Sequence, residues 1–208
     1  MDFKKFSQPS SNLSSLNYNL LKGMEISFQG HQLKNLKSDD VKILLNWKNQ
    51  KANSLLPDHP LKSKEEDEFL TSIKANLALP NPESIHLRLD IADELIGIAG
   101  FTEISWQTGN AKTYFFLDPN KTADAAQFGR YSSIILHLLM KCAFNSVGLN
   151  KIAIETPSSE IMLVHTIEAS GFKREAEFKD YAQLNGRNVG MIYASCTKDD
   201  YHRVFPNP

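Results

Sequence analysis

One run of residues constrains the fold more than any other. Lys112–Leu117 alternates in the manner of a strand, and Asp118, Pro119 and Asn120 stop it. From about Arg130 the period becomes helical. Ser133, His137, Lys141 and Asn145 recur four residues apart as one polar stripe turned to solvent, and Ile134, Ile135, Leu138, Leu139 and Cys142 fill the other faces. Gly148 suits the end of that helix, and Lys151–Thr156 reads as strand again. Two strands joined through a long helix return parallel in one sheet, so this segment demands a crossover. It excludes a pure antiparallel sandwich and a helix bundle. The expectation is a parallel pair that splays apart after Leu117.

The flanking sequence extends the sheet on both sides. Met24, Ile26 and Phe28 alternate with polar residues, and Leu33 and Leu36 suggest a second short extended piece after Gly30. Ser38 is placed to cap a helix with Asp39 and Asp40 in its first turn and Val41, Leu44, Leu45 and Trp47 along its apolar side. Ser63 and Glu66 have capping-box spacing ahead of Phe69, Leu70 and Ile73. Strands follow at Ile85–Ile91 and Leu95–Ile104, separated by a turn at 92–94. After the crossover come a helix over Ser159–Ser170 closed by Gly171, and strands at Phe172–Asp180 and Val189–Ser195 joined through Asn185-Gly186. Residues 1–22 are rich in Ser and Asn and read as a flexible polar extension, leaving 23–208 as one domain. The class is mixed α/β (α+β).

Composition narrows the chemistry. The 208 residues carry 23 Lys and Arg against 24 Asp and Glu, which advertises neither a nucleic-acid nor a membrane partner. Two cysteines cannot build a disulfide framework, no apolar run reaches membrane-span length, and no apolar stretch follows Lys4 and Lys5 as in a signal peptide. A cytoplasmic location is expected. The six histidines show no metal-ligand spacing, so no metal is expected. The P-loop, G-x-G-x-x-G, G-x-S-x-G and H-E-x-x-H motifs are absent. What remains is a strand ending at Leu117, a loop over Asp118–Gly129, and a helix beginning near Arg130. Glycine beside a helix N-terminus suits a phosphate, with Arg130 able to assist; the plainer reading is a turn glycine and a solvated arginine.

Several stretches in order resemble the GNAT acyltransferases, which move an acyl group from coenzyme A to an amine. They are Leu44-Leu45-Asn46-Trp47-Lys48-Asn49, Leu95 to Phe101, Tyr131 through Phe144, Lys151-Ile152, and Gly171 through Ala176. The resemblance spans about residues 24–204 and is nearest the branch with ribosomal-protein N-terminal and amino-sugar acetyltransferases. It implies a mostly antiparallel sheet with its fourth and fifth strands parallel and splayed, flanking helices, and acetyl-CoA as co-substrate. The acceptor it implies is a primary amine of a small molecule, an amino sugar or a peptide N-terminus.

Residue by residue, the resemblance assigns backbone N–H groups at Phe116 and Leu117 to the developing oxyanion. It places the pyrophosphate on Gln127, Phe128, Gly129, Arg130, Tyr131 and Ser132, and Glu160 where the family has a cofactor-orienting asparagine. The pyrophosphate motif is irregular: counted back from Tyr131, Arg130 stands at its first glycine, and Gly129 comes one position early. Ile167 stands where many members carry an acidic tyrosine. Glu103 and Glu155, at or near strand ends, are the candidate bases, and Tyr181 is a candidate acid. The departures leave a second reading open, a degenerate acyl-CoA-binding module with a regulatory role. Free sheet edges also admit a homodimer.

Overall fold

The computed structural model describes residues 15–49, 63–184 and 187–206. Among the described residues one sheet has eight strands: β1 (Ile26–Phe28), β2 (His31–Asn35), β3 (Ile85–Ile91), β4 (Glu94–Ser105), β5 (Asn110–Leu117), β6 (Lys151–Pro157), β7 (Lys173–Leu184) and β8 (Arg187–Thr197). The spatial order is β1-β2-β3-β4-β5-β6-β8-β7, and every neighbouring pair is antiparallel except β5 with β6. The expected crossover and mixed sheet are therefore present.

Two helical layers cover the sheet. The α1 helix (Asp40–Asn49) and α2 (Ser63–Leu77) lie on the face to which β3 turns His86 and Arg88, since the Phe69 ring meets His86 and Asp40 meets Arg88. The other face receives α3 (Ala125–Lys141), whose Ile135 approaches Gly97 of β4, and α3 packs in turn on α4 (Ile161–Ala169). The α3 helix continues into π-helical turns at Cys142–Val147 and ends on Gly148, whose φ of 82° is the left-handed conformation a glycine takes without steric cost. Its inward residues Ile135, Leu138 and Leu139 are fully buried, each stabilising the fold by roughly 1.5–3 kcal/mol relative to exposure.

The structure corrects several expectations. Leu16, Tyr18 and Leu21 are buried in the core, and Ser15 bridges to Lys37, so residues 15–22 belong to the folded domain rather than to an extension; residues 1–14 lie outside the described residues. The strand β3 is buried on both faces, because α1 and α2 cover its second face and bury His86, Arg88 and Asp90 as well. Arg88 answers the burial with Nε to Asp90 at 2.7 Å and one terminal nitrogen to both oxygens of Asp40 at 2.9 Å. Asp40 thus anchors α1 to the sheet in addition to accepting the Lys37 N–H at 2.7 Å. His137 is not solvent-facing: Phe28 and Phe205 enclose it at ring-centroid distances of 3.9 and 4.2 Å. A fifth helix, α5 (Lys198–Val204), follows β8 and opens with a capping box between Thr197 and Asp200. The side chains of Ser63–Glu66 and the turn at Asn185-Gly186 lie outside the described residues.

Candidate active site

The parallel pairing of β5 with β6 covers only Asn110–Lys151, Ala111–Ile152 and Lys112–Ala153. Beyond it each strand keeps its other partner, β5 with β4 as far as Leu117–Gly97 and β6 with β8 as far as Pro157–Met191. The two strands therefore part at Lys112, five residues earlier than expected, and the opening runs along the whole of Thr113–Leu117. The phase of the β4–β5 ladder fixes which groups face it. The Asp118 N–H donates to the Ile96 carbonyl at 2.8 Å, so by the two-residue period Phe116 and Tyr114 turn their N–H groups to β4. Leu117, Phe115 and Thr113 turn theirs toward the opening. Of the two expected donors, Leu117 is on the open side and Phe116 is held within the sheet.

A cavity of about 290 Å³ lies in this opening on the α1–α2 face. Phe69, Tyr114, Phe116, Leu44 and Ile154 make it largely apolar. At its edge the Lys112 Nζ stands 3.1 Å from Glu103 and 3.2 Å from Glu155. Both candidate carboxylates thus converge on one ammonium. Glu103 arrives there through a β-bulge: the β4–β5 register shifts between Thr102 and Ser105, and Glu103 has φ 51°. A non-glycine residue held in that region costs about 1 kcal/mol or more, and bulges commonly re-aim a side chain beside a site. Burial pulls the Lys112 ammonium toward neutrality, but the hydrogen bonds and charges of Glu103 and Glu155 outweigh it, and its pKa stands above that of an ordinary lysine.

The sequence did not single out Lys112, His86 or Tyr114, which the fold brings to the same cavity. The His86 Nδ1 is hydrogen-bonded to the Tyr114 hydroxyl, its Nε2 lies 3.1 Å from Ser84 Oγ, and its backbone N–H donates to the Tyr18 hydroxyl at 3.1 Å. Burial, and secondarily the neighbouring Tyr18, raises the Tyr114 phenol. Burial likewise pushes Tyr18 up to about 12 against the opposing pull of the His86 N–H. The only signal for these residues was parity: Lys112, Tyr114 and Phe116 share a face, and that face became informative once α1 and α2 covered it.

Other expected residues sit elsewhere. Tyr181 lies on the outer strand β7, 59% exposed with its ring against Phe178, and does not line the cavity. Ile167 is buried in α4, and Glu160 stands just before that helix. The expected diphosphate loop is helical. The α3 helix starts at Ala125, five residues before Arg130, and Asp124 caps it by accepting the Gln127 N–H at 3.2 Å. The Phe128 N–H donates to the Asp124 carbonyl at 2.9 Å, so Phe128–Ser132 have their N–H groups inside the helix. Gln127 and Arg130 are exposed, Phe128 and Tyr131 pack on the core, and Ser132 is buried. A Cβ on Gly129 would meet nothing within 4 Å, so no close backbone approach explains that glycine.

The model of the acetyltransferase (GNAT) domain family matches residues 33–193. The chain belongs to the GNAT acetyltransferase domain family. Among solved structures it is similar to the spermidine N-acetyltransferase from Vibrio cholerae in complex with CoA and spermine. The TM-score is 0.72 and the identity 20%, over 84% of this chain and 99% of that one. It is also similar to the spermidine/spermine N-acetyltransferase SpeG from Vibrio cholerae in complex with manganese ions. Here the TM-score is 0.67 and the identity 19%, over 86% and 98% of the two chains. At that identity the likeness concerns the fold. No curated protein matches the chain.

Within the GNAT fold, the two ends of the cofactor path fare differently in this chain. The open-side N–H groups of Leu117 and Phe115 suit an extended amide-bearing arm lying against β5. The diphosphate end does not fit as expected, because the α3 amides beyond Gln127 are engaged and a carboxylate, Asp124, occupies the helix N-terminus. Among the described residues no helix is long and apolar enough to cross a membrane, and no group of three or more His, Cys, Asp or Glu is arranged to hold a metal ion.

Proposed function

We propose that the chain is an N-acetyltransferase that moves an acetyl group from acetyl-CoA to a primary amine by direct attack. The observation that carries this reading is the early parting of β5 and β6. It leaves backbone donors of one strand facing Glu155 of the other across a cavity. Acetyl-CoA supplies the activated acyl carbonyl and a thiolate leaving group. The N–H group of Leu117 holds the carbonyl oxygen as negative charge develops on it; that of Phe115, two residues back along the strand, is left for another part of the acyl donor. The incoming amine must be neutral, and Glu155 or Glu103 takes its proton, directly or through a water. Tyr181 is too far out on the sheet edge to serve as the acid. A thiolate near the pKa of an ordinary thiol, about 8.5, departs without one.

The test is release of free thiol from acetyl-CoA against a panel of primary amines. Glu155→Gln and Glu103→Gln are compared with wild type, and replacing the base should cost on the order of 10²-fold in kcat. If both variants keep full activity at every pH, neither carboxylate is the base. The Asp124 cap favours a second reading, an acyl-CoA-binding module without turnover. It predicts saturable acetyl-CoA binding and no thiol release with any amine.

A further inference from the structure

The proposed acceptor cavity carries a charge pattern that selects among amines, and this inference rests on the acetyltransferase reading. Two charged groups line it, Lys112 and Glu155, and the exposed Glu103 reaches the same Lys112 ammonium from the rim. Their sum is one negative charge. The other walls are mostly apolar or aromatic, Phe69, Tyr114 and Phe116 among them; Thr102, Thr113 and the Tyr114-bonded His86 add polar groups, and no further carboxylate lines the cavity among the described residues. One ammonium is therefore matched. A second ammonium on the same molecule would leave water without a carboxylate of its own, and would also meet the Lys112 charge.

We infer that the acceptor is a primary amine with a single positive charge on an apolar or aromatic body, and that Lys112 is the specificity-determining residue that disfavours polycations. The geometry gives each part of such a molecule a place. Glu103 and Glu155 already hold one primary ammonium, that of Lys112 itself, between oxygens 3.1 and 3.2 Å away. A substrate ammonium joins or displaces it at the same oxygens. The rings of Tyr114 and Phe116, 5.5 Å apart, and that of Phe69 face the volume behind it, where an aryl or alkyl body loses water and an aromatic one stacks. The bulge at Glu103 fits this role, since without the turn at φ 51° the second carboxylate would not reach the ammonium.

The experiment compares phenethylamine with spermidine as acceptors, reading thiol release from acetyl-CoA at low ionic strength for wild type, Lys112→Met and Lys112→Arg. Wild type should show kcat/KM at least about tenfold higher for phenethylamine. Lys112→Met leaves two uncompensated carboxylates and should move the ratio toward spermidine by about tenfold, an effect that fades as salt is added. Lys112→Arg keeps the charge and should keep the wild-type order. Equal or preferred turnover of spermidine by wild type, or a ratio unmoved in Lys112→Met, overturns the inference while leaving the acetyltransferase reading standing. Should Lys112→Met fail to fold, the wild-type ratio and the Lys112→Arg order still decide. Absence of thiol release with both amines and with a broader panel overturns the acetyltransferase reading and this inference with it.

Discussion

Asp124 accepts the backbone N–H of Gln127 at 3.2 Å, so a carboxylate closes the end of the helix where a diphosphate was expected to lie. Asparagine caps a helix about as well as aspartate and carries no charge. Asp124→Asn should therefore leave the melting temperature within a degree or two. It should strengthen coenzyme A binding roughly three- to tenfold at low salt, less at physiological ionic strength. Calorimetric titration reads both conditions. Unchanged affinity would mean that the diphosphate lies away from α3.

Two glycines should respond in opposite ways. A Cβ on Gly97 would stand 2.7 Å from the Phe116 carbonyl oxygen and 2.9 Å from Leu117 Cδ2, so β5 must shift just where its N–H groups face the opening. Gly97→Ala should cost about 1–3 kcal/mol of stability and weaken coenzyme A binding as well. A Cβ on Gly129 meets nothing and lies within a helix. Gly129→Ala should stabilise by up to about 1 kcal/mol. Denaturant unfolding and coenzyme A titration of the two variants check the pair.

Arg88 satisfies two buried carboxylates, Asp40 and Asp90. Arg88→Met takes the guanidinium from both, leaving Asp40 with the Lys37 N–H and Asp90 with Lys34 at 3.8 Å, and should destabilise by roughly 3–5 kcal/mol, because removing one partner of a buried ionic group leaves charge poorly compensated. Urea midpoints of Arg88→Met and of Asp90→Asn should differ, the latter being milder.

His137 gives the fold an acid sensitivity. Burial between Phe28 and Phe205, with Lys141 adding to it, lowers its pKa from 6.5 to about 4. A lowered folded pKa means that the unfolded chain binds the proton first. The contribution of His137 is thus complete above pH 6.5 and is lost as pH falls through 4. His137→Phe should flatten the stability profile over that window, as read from melting temperatures at stepped pH. An unchanged slope would locate the sensitivity elsewhere.

The parallel strands and the helix between them were legible because one long stretch changes its hydrophobic period twice. The extent of that helix was not. Gly129 looked like a boundary, whereas Ala125, Ala126 and Gln127 are good helix formers with an Asp ahead of them, and local propensity set the start. The polar stripe mates Ser133, Lys141 and Asn145 point His137 to solvent in a helical period, yet its ring is buried. Phe28 from β1, Tyr201 from α5 and Phe205 from beyond it cover the ring, and such distant partners leave no trace in a helical period. At the site, Glu103 and Glu155 could be singled out as carboxylates near strand ends. Lys112, which joins them, looked like an ordinary strand lysine until a bulge and a parting of strands brought all three together.

The brevity of the β5–β6 pairing has a mechanical consequence. Along the seam itself, the leaf β1–β5 meets the leaf β6–β8 through three residue pairs, with the Lys112–Glu155 ion pair at their end and the helical crossover beside them. A molecule that hydrogen-bonds to Leu117 and Phe115 while resting against β6 acts as a missing rung. Occupancy of the cleft then stiffens the sheet across its weakest line, and amide exchange on both leaves should slow together when it is filled.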